Sequence, residues 1–135
     1  MTYLLDSDTC ITHLRPRGKH QVSTRIGATS PSQIALPCIV VSELLYGAWR
    51  HPQRARAMVL AEDFCAKFKA VAFDESAARL HAQIRAELET INGRIGPYDS
   101  IIAAMAVANH LTLVTHNTRE FGRVPGLKIE DWFIP

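Results

Sequence analysis

The sequence predicts an α/β fold built on a mostly parallel central sheet. Short, continuously apolar runs with the length of buried strands alternate along the chain with longer segments of helical periodicity. This alternation is typical of βαβ units, whose parallel strands are covered on both faces. The 135 residues suffice for one domain, spanning residues 1–135, and contain neither an internal repeat nor a long linker.

The first half of the chain is predicted to begin with a buried strand that ends at Asp6. A short helix follows, and then a polar, basic segment that we also interpret as helical. Pro37 separates two apolar runs, which we interpret as one interrupted strand region, and a helix begins near Ser42. The predicted ranges are 2–5 for the strand, 9–14 and 17–29 for the helices, and 34–36 with 38–41 for the interrupted strand.

In the second half, apolar residues spaced three or four apart predict two amphipathic helices. The apolar faces comprise Ala57, Leu60, Phe64 and Phe68 in the first helix and Ala77, Leu80, Ile84, Leu88 and Ile91 in the second. Asp74 is a suitable N-cap for the second helix, and Asn92-Gly93 ends it. An apolar helix that begins at Pro97 is expected in the core, and strands are predicted at 71–73, 111–115 and 127–129.

The composition excludes several other classes of protein. A hydrophobic share of 47% and a charged share of 21% exclude a disordered chain. The most apolar stretch, residues 101–108, is much shorter than the roughly 20 residues of a membrane-spanning helix, and the N-terminus lacks the basic segment of a signal peptide. Three cysteines without C-x-x-C spacing argue against a disulfide framework or a zinc site. We therefore expect a cytoplasmic protein with buried cysteines and no membrane partner.

Four polar residues lie just after a predicted strand or near the start of a predicted helix. They are Asp6, Glu43, Asp99 and Asn117. Each has a simpler interpretation: a helix cap for Asp6, a solvated helix residue for Glu43, dipole compensation for Asp99, and a turn residue for Asn117. In a parallel sheet, however, all four positions converge on the edge where ligands bind. Their joint placement favours a functional site.

The residue types at this edge indicate a particular chemistry. Clustered carboxylates raise one another's pKa unless a cation neutralises them. Oxygen-only ligands suit Mg²⁺ or Mn²⁺, which bind one or two carboxylates together with substrate phosphates and several waters. A metal held in this way can polarise a phosphodiester and supply hydroxide. The sequence therefore favours a metal-dependent nuclease.

Four segments, in order, resemble the signature blocks of PIN-domain ribonucleases, and most closely those of VapC-type toxins of bacterial toxin–antitoxin pairs. They are LLDSD at residues 4–8, VSELLYGA at 41–48, YDSIIAA at 98–104 and VTHNTREF at 114–121. The similarity extends from Tyr3 to about Trp132. The resemblance implies a three-layer α/β/α sandwich, Mg²⁺-dependent cleavage of RNA, and a cognate antitoxin as partner.

The resemblance also assigns roles to individual residues. Asp6, Glu43 and Asp99 match the three acids of the family's metal site. Asn117 stands where many PIN domains have a fourth acid, and its amide adds no negative charge. Two hydroxyl side chains match small hydroxyl positions of the family and are expected to orient Asp6 or a metal-bound water. These are Ser7 and Thr115.

Arginines follow the candidate site residues along the chain. Arg15, Arg17 and Arg119 are interpreted as contacts for RNA phosphates, with a solvated basic surface as the alternative.

The helix that carries Glu43 also crowds four large apolar side chains, Leu44, Leu45, Tyr46 and Trp49. Core packing is the default interpretation of this crowding. The resemblance offers antitoxin binding and homodimerisation as the alternative, since related early-helix surfaces serve both in that family.

Two other functions compete with a nuclease. Asp6-Ser7-Asp8 mimics the nucleophile motif of haloacid-dehalogenase phosphatases, but that motif needs threonine where this chain has Cys10. A catalytically silent RNA- or protein-binding module on the same fold is the second alternative. The three acids argue against it, because a module without catalysis has no need to assemble groups that repel one another.

Overall fold

The computed structural model describes residues 1–15 and 20–135 and has a five-stranded sheet at its centre. The strands are β1 (Tyr3–Leu5), β2 (Ile34–Pro37), β3 (Lys69–Val71), β4 (Thr112–Val114) and β5 (Ile129–Glu130). Every pair is parallel, and the order across the sheet is β3-β2-β1-β4-β5. In the central register Leu4 lies between Ala35 and Leu113. The predicted parallel sheet is confirmed.

Seven α-helices surround the sheet in the described part of the chain. They are α1 (Ser7–Leu14), α2 (Gln21–Ala28), α3 (Cys38–Arg50), α4 (Arg54–Ala66), α5 (Glu75–Thr90), α6 (Pro97–Ala108) and α7 (Thr118–Phe121). The most extensive helix–helix packing falls into two groups, α1 to α4 and α5 with α6. The connections from β1 to β2 and from β2 to β3, which contain α1 to α4, advance across the sheet in one direction, and the connection from β3 to β4, which contains α5 and α6, returns in the other. Because such crossovers are right-handed, the two groups lie on opposite faces of the sheet. This arrangement is the expected α/β/α sandwich.

The strand order reverses between β1 and β4, which are neighbours in the sheet. At such a switch point the connections leave the carboxyl ends of the strands in opposite directions, and a crevice opens between them. Asp6 directly follows β1, and Thr115 directly follows β4. These two residues therefore flank the crevice.

The core lies between the sheet and the inward faces of the helices. Leu4, Leu36 and Leu113 in the three central strands are fully buried. In α6 the buried positions include Ser100 and every residue from 102 to 106. Because α6 is buried on most sides, its sequence is apolar nearly all round rather than along a stripe. Its placement in the core is as the sequence predicts.

The segment after Pro37 corrects the sequence interpretation. The composition of residues 38–41 predicts a continued strand, but Pro37 ends β2 and α3 begins at Cys38. Val40, Leu44 and Ala48 are buried at a spacing of four residues. Burial of this helical face outweighs the preference of the β-branched residues for a strand. The helix thus begins four residues before Ser42, its predicted start.

Several predicted boundaries also shift in the second half. The third strand covers residues 69–71 rather than 71–73, and the last strand covers residues 129–130 rather than 127–129. Leu60 is 51% exposed and Ile91 is 64% exposed, so the expectation that both belong to buried apolar faces is wrong. The capping prediction is confirmed: the Ala77 N–H donates to Asp74 at 3.0 Å, and Asn92 has a left-handed φ of 54° just beyond α5.

The cysteines are free, and their burial differs from expectation. Cys10 is buried, Cys65 is half-buried, and Cys38 is exposed on the first turn of α3. The expectation of buried cysteines is therefore wrong for Cys38. Within the described residues, no helix combines the length and apolar character needed to cross a membrane.

Candidate active site

Asp6 lies where β1 passes into α1. Its backbone N–H donates to the carbonyl of Val114 at 3.2 Å, which ties it to the neighbouring strand. Its carboxylate accepts the Thr9 N–H at 3.0 Å and so caps α1. The side chain is only 5% exposed. The capping role that the sequence allowed is present, and it holds a carboxylate in the crevice at the same time.

Glu43 reaches this edge from the second turn of α3. Its Oε1 accepts a hydrogen bond of 2.6 Å from the hydroxyl of Ser7, on the first turn of α1. The Ser7 hydroxyl therefore orients Glu43 rather than Asp6, and its expected contact with a metal-bound water stays a prediction. This hydrogen bond connects α1 to α3, and so connects the LLDSD segment at residues 4–8 to the VSELLYGA segment at residues 41–48.

Asp99 lies in the first turn of α6, two residues after Pro97, the first residue of the helix. The following residue, Ser100, donates to the Pro97 carbonyl at 2.9 Å. Because that bond uses the Ser100 proton, the Nε2–H of His81 is the donor in the 2.9 Å contact between His81 and Ser100. The turn that carries Asp99 is thereby attached to α5.

The segment after β4 supplies polar groups from the other side of the switch point. The Thr115 hydroxyl accepts the Asn117 N–H at 3.0 Å and lies close enough to the carboxylate of Asp6 to lower its pKa. The side-chain amide of Asn117 donates to Glu120 at 2.9 Å. Thr115 thus lies in the position expected of it, next to Asp6, whereas Asn117 holds a neighbouring carboxylate.

The carboxyl groups from these segments lie close enough to perturb one another. Burial raises the pKa of Asp99 to about 6, and the negative charges of Asp6, Glu120, Asp8 and Glu43 add to the increase in that order. The site therefore resists carrying its full negative charge when no cation is present.

Asp6 shows the same conflict between burial and charge. Burial raises its pKa above the ordinary value, while hydrogen bonds from Thr115 and Thr9 act in the opposite direction. Among the described residues, the ion pairs are Arg25–Glu130, Arg79–Glu75 and His116–Asp131. None of these pairs includes the carboxylates of Asp6, Glu43, Asp99 or Glu120, which thus have no ion-pair partner in the described part of the protein.

The donor chemistry of the edge fits a hard divalent cation, although its acids are not packed into a closed ligand set. Within the described ranges, no three Asp, Glu, His or Cys side chains are arranged closely enough to hold a metal ion by themselves. Mg²⁺ needs no such cage, because it binds through one or two carboxylates and keeps several waters. The side-chain donors at the edge are oxygens throughout, which favours Mg²⁺ or Mn²⁺ over zinc.

Glu120 is the site residue that the sequence interpretation missed. It lies in the four-residue helix α7, which was not predicted, and its charge contributes to the raised pKa of Asp99. The signal was present in the last signature block, where Glu120 follows Asn117 by three residues. That spacing brings two side chains together on one face of a helical turn.

Two of the three arginines predicted to contact RNA lie within the described residues. Arg15 and Arg119 are exposed, at the end of α1 and in α7. Arg15 borders a groove that also contains Glu43, so it lies on the same side of the molecule as the acids. Arg17 lies outside the described residues.

The groove beside Glu43 has a volume of about 530 Å³ and runs between α1, α3 and α4. Its walls are largely apolar and include Leu14, Leu44 and Leu60. Further along α3, Tyr46 is 60% exposed and Trp49 is 56% exposed. Core packing, the default interpretation of these aromatic residues, is therefore wrong for both.

Comparison with known proteins identifies relatives along nearly the whole chain. The model of the PIN domain family matches residues 3–127. The tRNA(fMet)-specific endonuclease VapC of Salmonella typhimurium is 36% identical, and that of Shigella flexneri is 33% identical, each over 98% of both chains.

Solved structures show the same similarity in three dimensions. DNA-bound VapBC from Salmonella typhimurium matches with a TM-score of 0.90 at 35% identity, over 98% of both chains. VapBC2 from Rickettsia felis, bound to a promoter DNA fragment, matches with a TM-score of 0.89 at 28% identity, over 98% of this chain and 99% of that one. Together with the acids at the switch point of a parallel sheet, these matches show that the chain belongs to the PIN-domain family, as a VapC-type ribonuclease of the toxin–antitoxin systems.

Proposed function

We propose that this protein is a Mg²⁺-dependent endoribonuclease that acts as the toxin of a toxin–antitoxin pair and cleaves RNA by metal-assisted hydrolysis. The observation that supports this most strongly is the convergence of Asp6, Glu43 and Asp99 at one sheet edge, with the pKa of Asp99 raised to about 6. A scaffold gains nothing from such repulsion, whereas a cation site requires it.

Asp6, Glu43 and Asp99 would hold the metal, directly or through its waters. When bound there, Mg²⁺ supplies positive charge to the phosphodiester and lowers the pKa of the attacking water. Buried Asp6 is kept in place by the Thr9 N–H, and Ser7 orients Glu43. These contacts hold the carboxylates in position before substrate arrives, so that little reorganisation is needed during the reaction.

Glu120 is proposed as the fourth acid in place of Asn117. Asn117 adds no charge, but its amide donates to the Glu120 carboxylate at 2.9 Å and orients it toward the shared edge. The Thr115 hydroxyl accepts the Asn117 N–H and lies beside Asp6, whose pKa it lowers. In the proposed enzyme, Asn117 is thus a positioning residue rather than a ligand.

The proposed substrate is a structured RNA, with initiator tRNA as the first candidate. Two relatives at 36% and 33% identity are named tRNA(fMet)-specific endonucleases. Arg15 and Arg119 would contact phosphates on either side of the acids. An RNA substrate also places the activity in the cytoplasm. Mapping the cut ends after incubation with total bacterial RNA tests the assignment, and an initiator tRNA that remains intact would contradict it.

Cleavage is expected to require Mg²⁺ or Mn²⁺, because the site offers only carboxylate, hydroxyl and amide oxygens. EDTA should abolish the activity, and added Mg²⁺ should restore it. Zn²⁺ should support it poorly, since the site offers no cysteine or histidine ligands. Gel analysis of initiator tRNA incubated with each ion measures this. Full cleavage in excess chelator would exclude the metal-assisted mechanism.

The groove between α1, α3 and α4 is proposed as the surface that receives the antitoxin. Its apolar walls suit the apolar face of a partner segment, and Glu43 lies at its border, where a bound segment would also cover the site. The solved VapBC complexes with the same fold support a partner of this kind.

Leu60→Asp is expected to weaken antitoxin binding by at least about 10-fold, because it places a charge in the apolar wall of the groove. Val59→Asp is the matched control. Val59 is the adjacent residue of α4 and is 59% exposed, but it does not line the groove. Affinity for the coexpressed antitoxin, measured by calorimetry, distinguishes the two variants. Equal affinities would exclude the groove.

Homodimerisation, implied by the family resemblance, completes the proposal. Tyr46 and Trp49 expose large aromatic surfaces on α3, each beneath an arginine guanidinium, Arg50 or Arg54. Exposed aromatic and arginine side chains are enriched at interfaces between proteins. Sedimentation of the purified chain measures the predicted self-association.

A further inference from the structure

A second cavity lies between α5 and α6, apart from the antitoxin groove. Its volume is about 450 Å³, within the range of pockets that bind small molecules. Leu88, Ile95 and Ile101 form apolar parts of its lining. Two arginines, Arg85 and Arg94, contribute the positive charge. The cavity therefore combines an apolar surface with cationic groups.

The two arginines are exposed and accessible to a ligand. Neither Arg85 nor Arg94 forms an ion pair with any described residue. By contrast, Arg79 on the same helix pairs with Glu75 at 3.0 Å. One acid, Glu89, also lines the cavity. Because two arginines and one acid line it, the net charge of the lining is positive. Arginine is suited to bidentate contact with phosphate oxygens.

The position of the cavity connects it with the proposed active site. Pro97 and Ser100 both line it, and Asp99 lies between them on the first turn of α6. His81 also lines the cavity and donates to Ser100, so the cavity wall and the Asp99 turn are joined by a hydrogen bond. The cavity therefore shares the first turn of α6 with Asp99.

We propose that this cavity binds a nucleotide of the RNA strand adjacent to the cleaved phosphodiester. The base or ribose packs against Leu88, Ile95 and Ile101, and the flanking phosphate contacts Arg85 and Arg94. The inference rests on the proposed ribonuclease function and adds a subsite to it.

The test measures RNA binding without cleavage, in Mg²⁺, with an Asp6→Asn parent chain and fluorescently labelled initiator tRNA as the probe. Arg85→Ala combined with Arg94→Ala is expected to raise Kd by at least about 10-fold. The slope of log Kd against log salt concentration should decrease by about 0.7 for each phosphate that the variant no longer neutralises. Arg85→Lys with Arg94→Lys, which retains both charges, should keep most of the salt slope.

Arg79→Ala is the matched control, because Arg79 is an exposed arginine of α5 that already has an acidic partner. It should leave Kd and the salt slope unchanged. A double-alanine variant with the parent's Kd and slope would overturn the subsite, as would a loss of binding accompanied by a lower melting temperature or altered sedimentation. If the parent itself binds no RNA, the proposed function fails as well. If the wild type cuts RNA while the variant binds normally, only the subsite fails.

Discussion

Asp6→Asn is expected to reduce RNA cleavage by more than about 100-fold and to abolish growth arrest when the chain is expressed alone in bacteria. The substitution removes the charge of a proposed metal ligand at nearly constant volume. Loss of residues that merely support metal ligands costs about 10–100-fold in metal affinity or activity, so loss of a ligand should cost at least as much. The fold should survive, because asparagine caps a helix about as well as aspartate and can still accept the Thr9 N–H.

Asp74→Asn provides a matched control for this variant. Asp74 caps α5 through a hydrogen bond of the same 3.0 Å length, from the Ala77 N–H, and its charge does not contribute to the raised pKa of Asp99. Asp74→Asn should therefore retain cleavage and toxicity. Cleavage rates, colony counts and thermal melts of both variants separate a missing ligand from an altered helix cap. An Asp6→Asn protein that remains fully toxic would remove Asp6 from the site.

The positions of Asp6 and Asp99 were accessible from the sequence for a physical reason. Each lies within a few residues of a strand end or a helix start, and in a parallel sheet such positions share one edge whatever the details of packing. The helix α6 was accessible for a different reason: a helix enclosed on most sides is apolar on most sides, and residues 101–108 have that composition. Their metal-binding roles stay predictions.

Other features depend on packing that the sequence does not display. Residues 38–41 have the composition of a strand, and only the burial of Val40 with Leu44 and Ala48 makes them helical. Glu120 was missed because a four-residue helix is too short for a recognisable period. The cavity beside Arg85 is formed by contact between α5 and α6, so no local pattern indicates it.

Asp99→Asn is expected to abolish cleavage and to leave the metal-free protein at least as stable as the wild type. The folded-state pKa of Asp99, about 6, exceeds its ordinary value of 3.8, so the folded protein holds more protons than the unfolded chain between these pH values. The contribution of this group to stability therefore falls as pH rises through that window. The melting temperature of the variant relative to wild type should be higher at pH 7 than at pH 4. Added Mg²⁺ should raise the wild-type melting temperature more than the variant's, because a ligand stabilises only the state that binds it.

Glu75→Gln is the comparison that gives this test its force. Glu75 is also an acid in the first turn of a helix, α5. It is exposed, forms an ion pair with Arg79, and is distant in sequence from Asp6, Glu43 and Asp99. If Asp99 served only to compensate the helix dipole, both substitutions should cost about 0.3–1 kcal/mol and both proteins should cleave RNA. If Asp99 is a metal ligand held among like charges, only Glu75→Gln should lose stability and only Asp99→Asn should lose activity. Melts at the two pH values, with and without Mg²⁺, measured beside tRNA cleavage, decide between these outcomes. An Asp99→Asn protein that melts at a lower temperature than the wild type and cleaves RNA normally would contradict the proposed metal-binding role of these carboxylates.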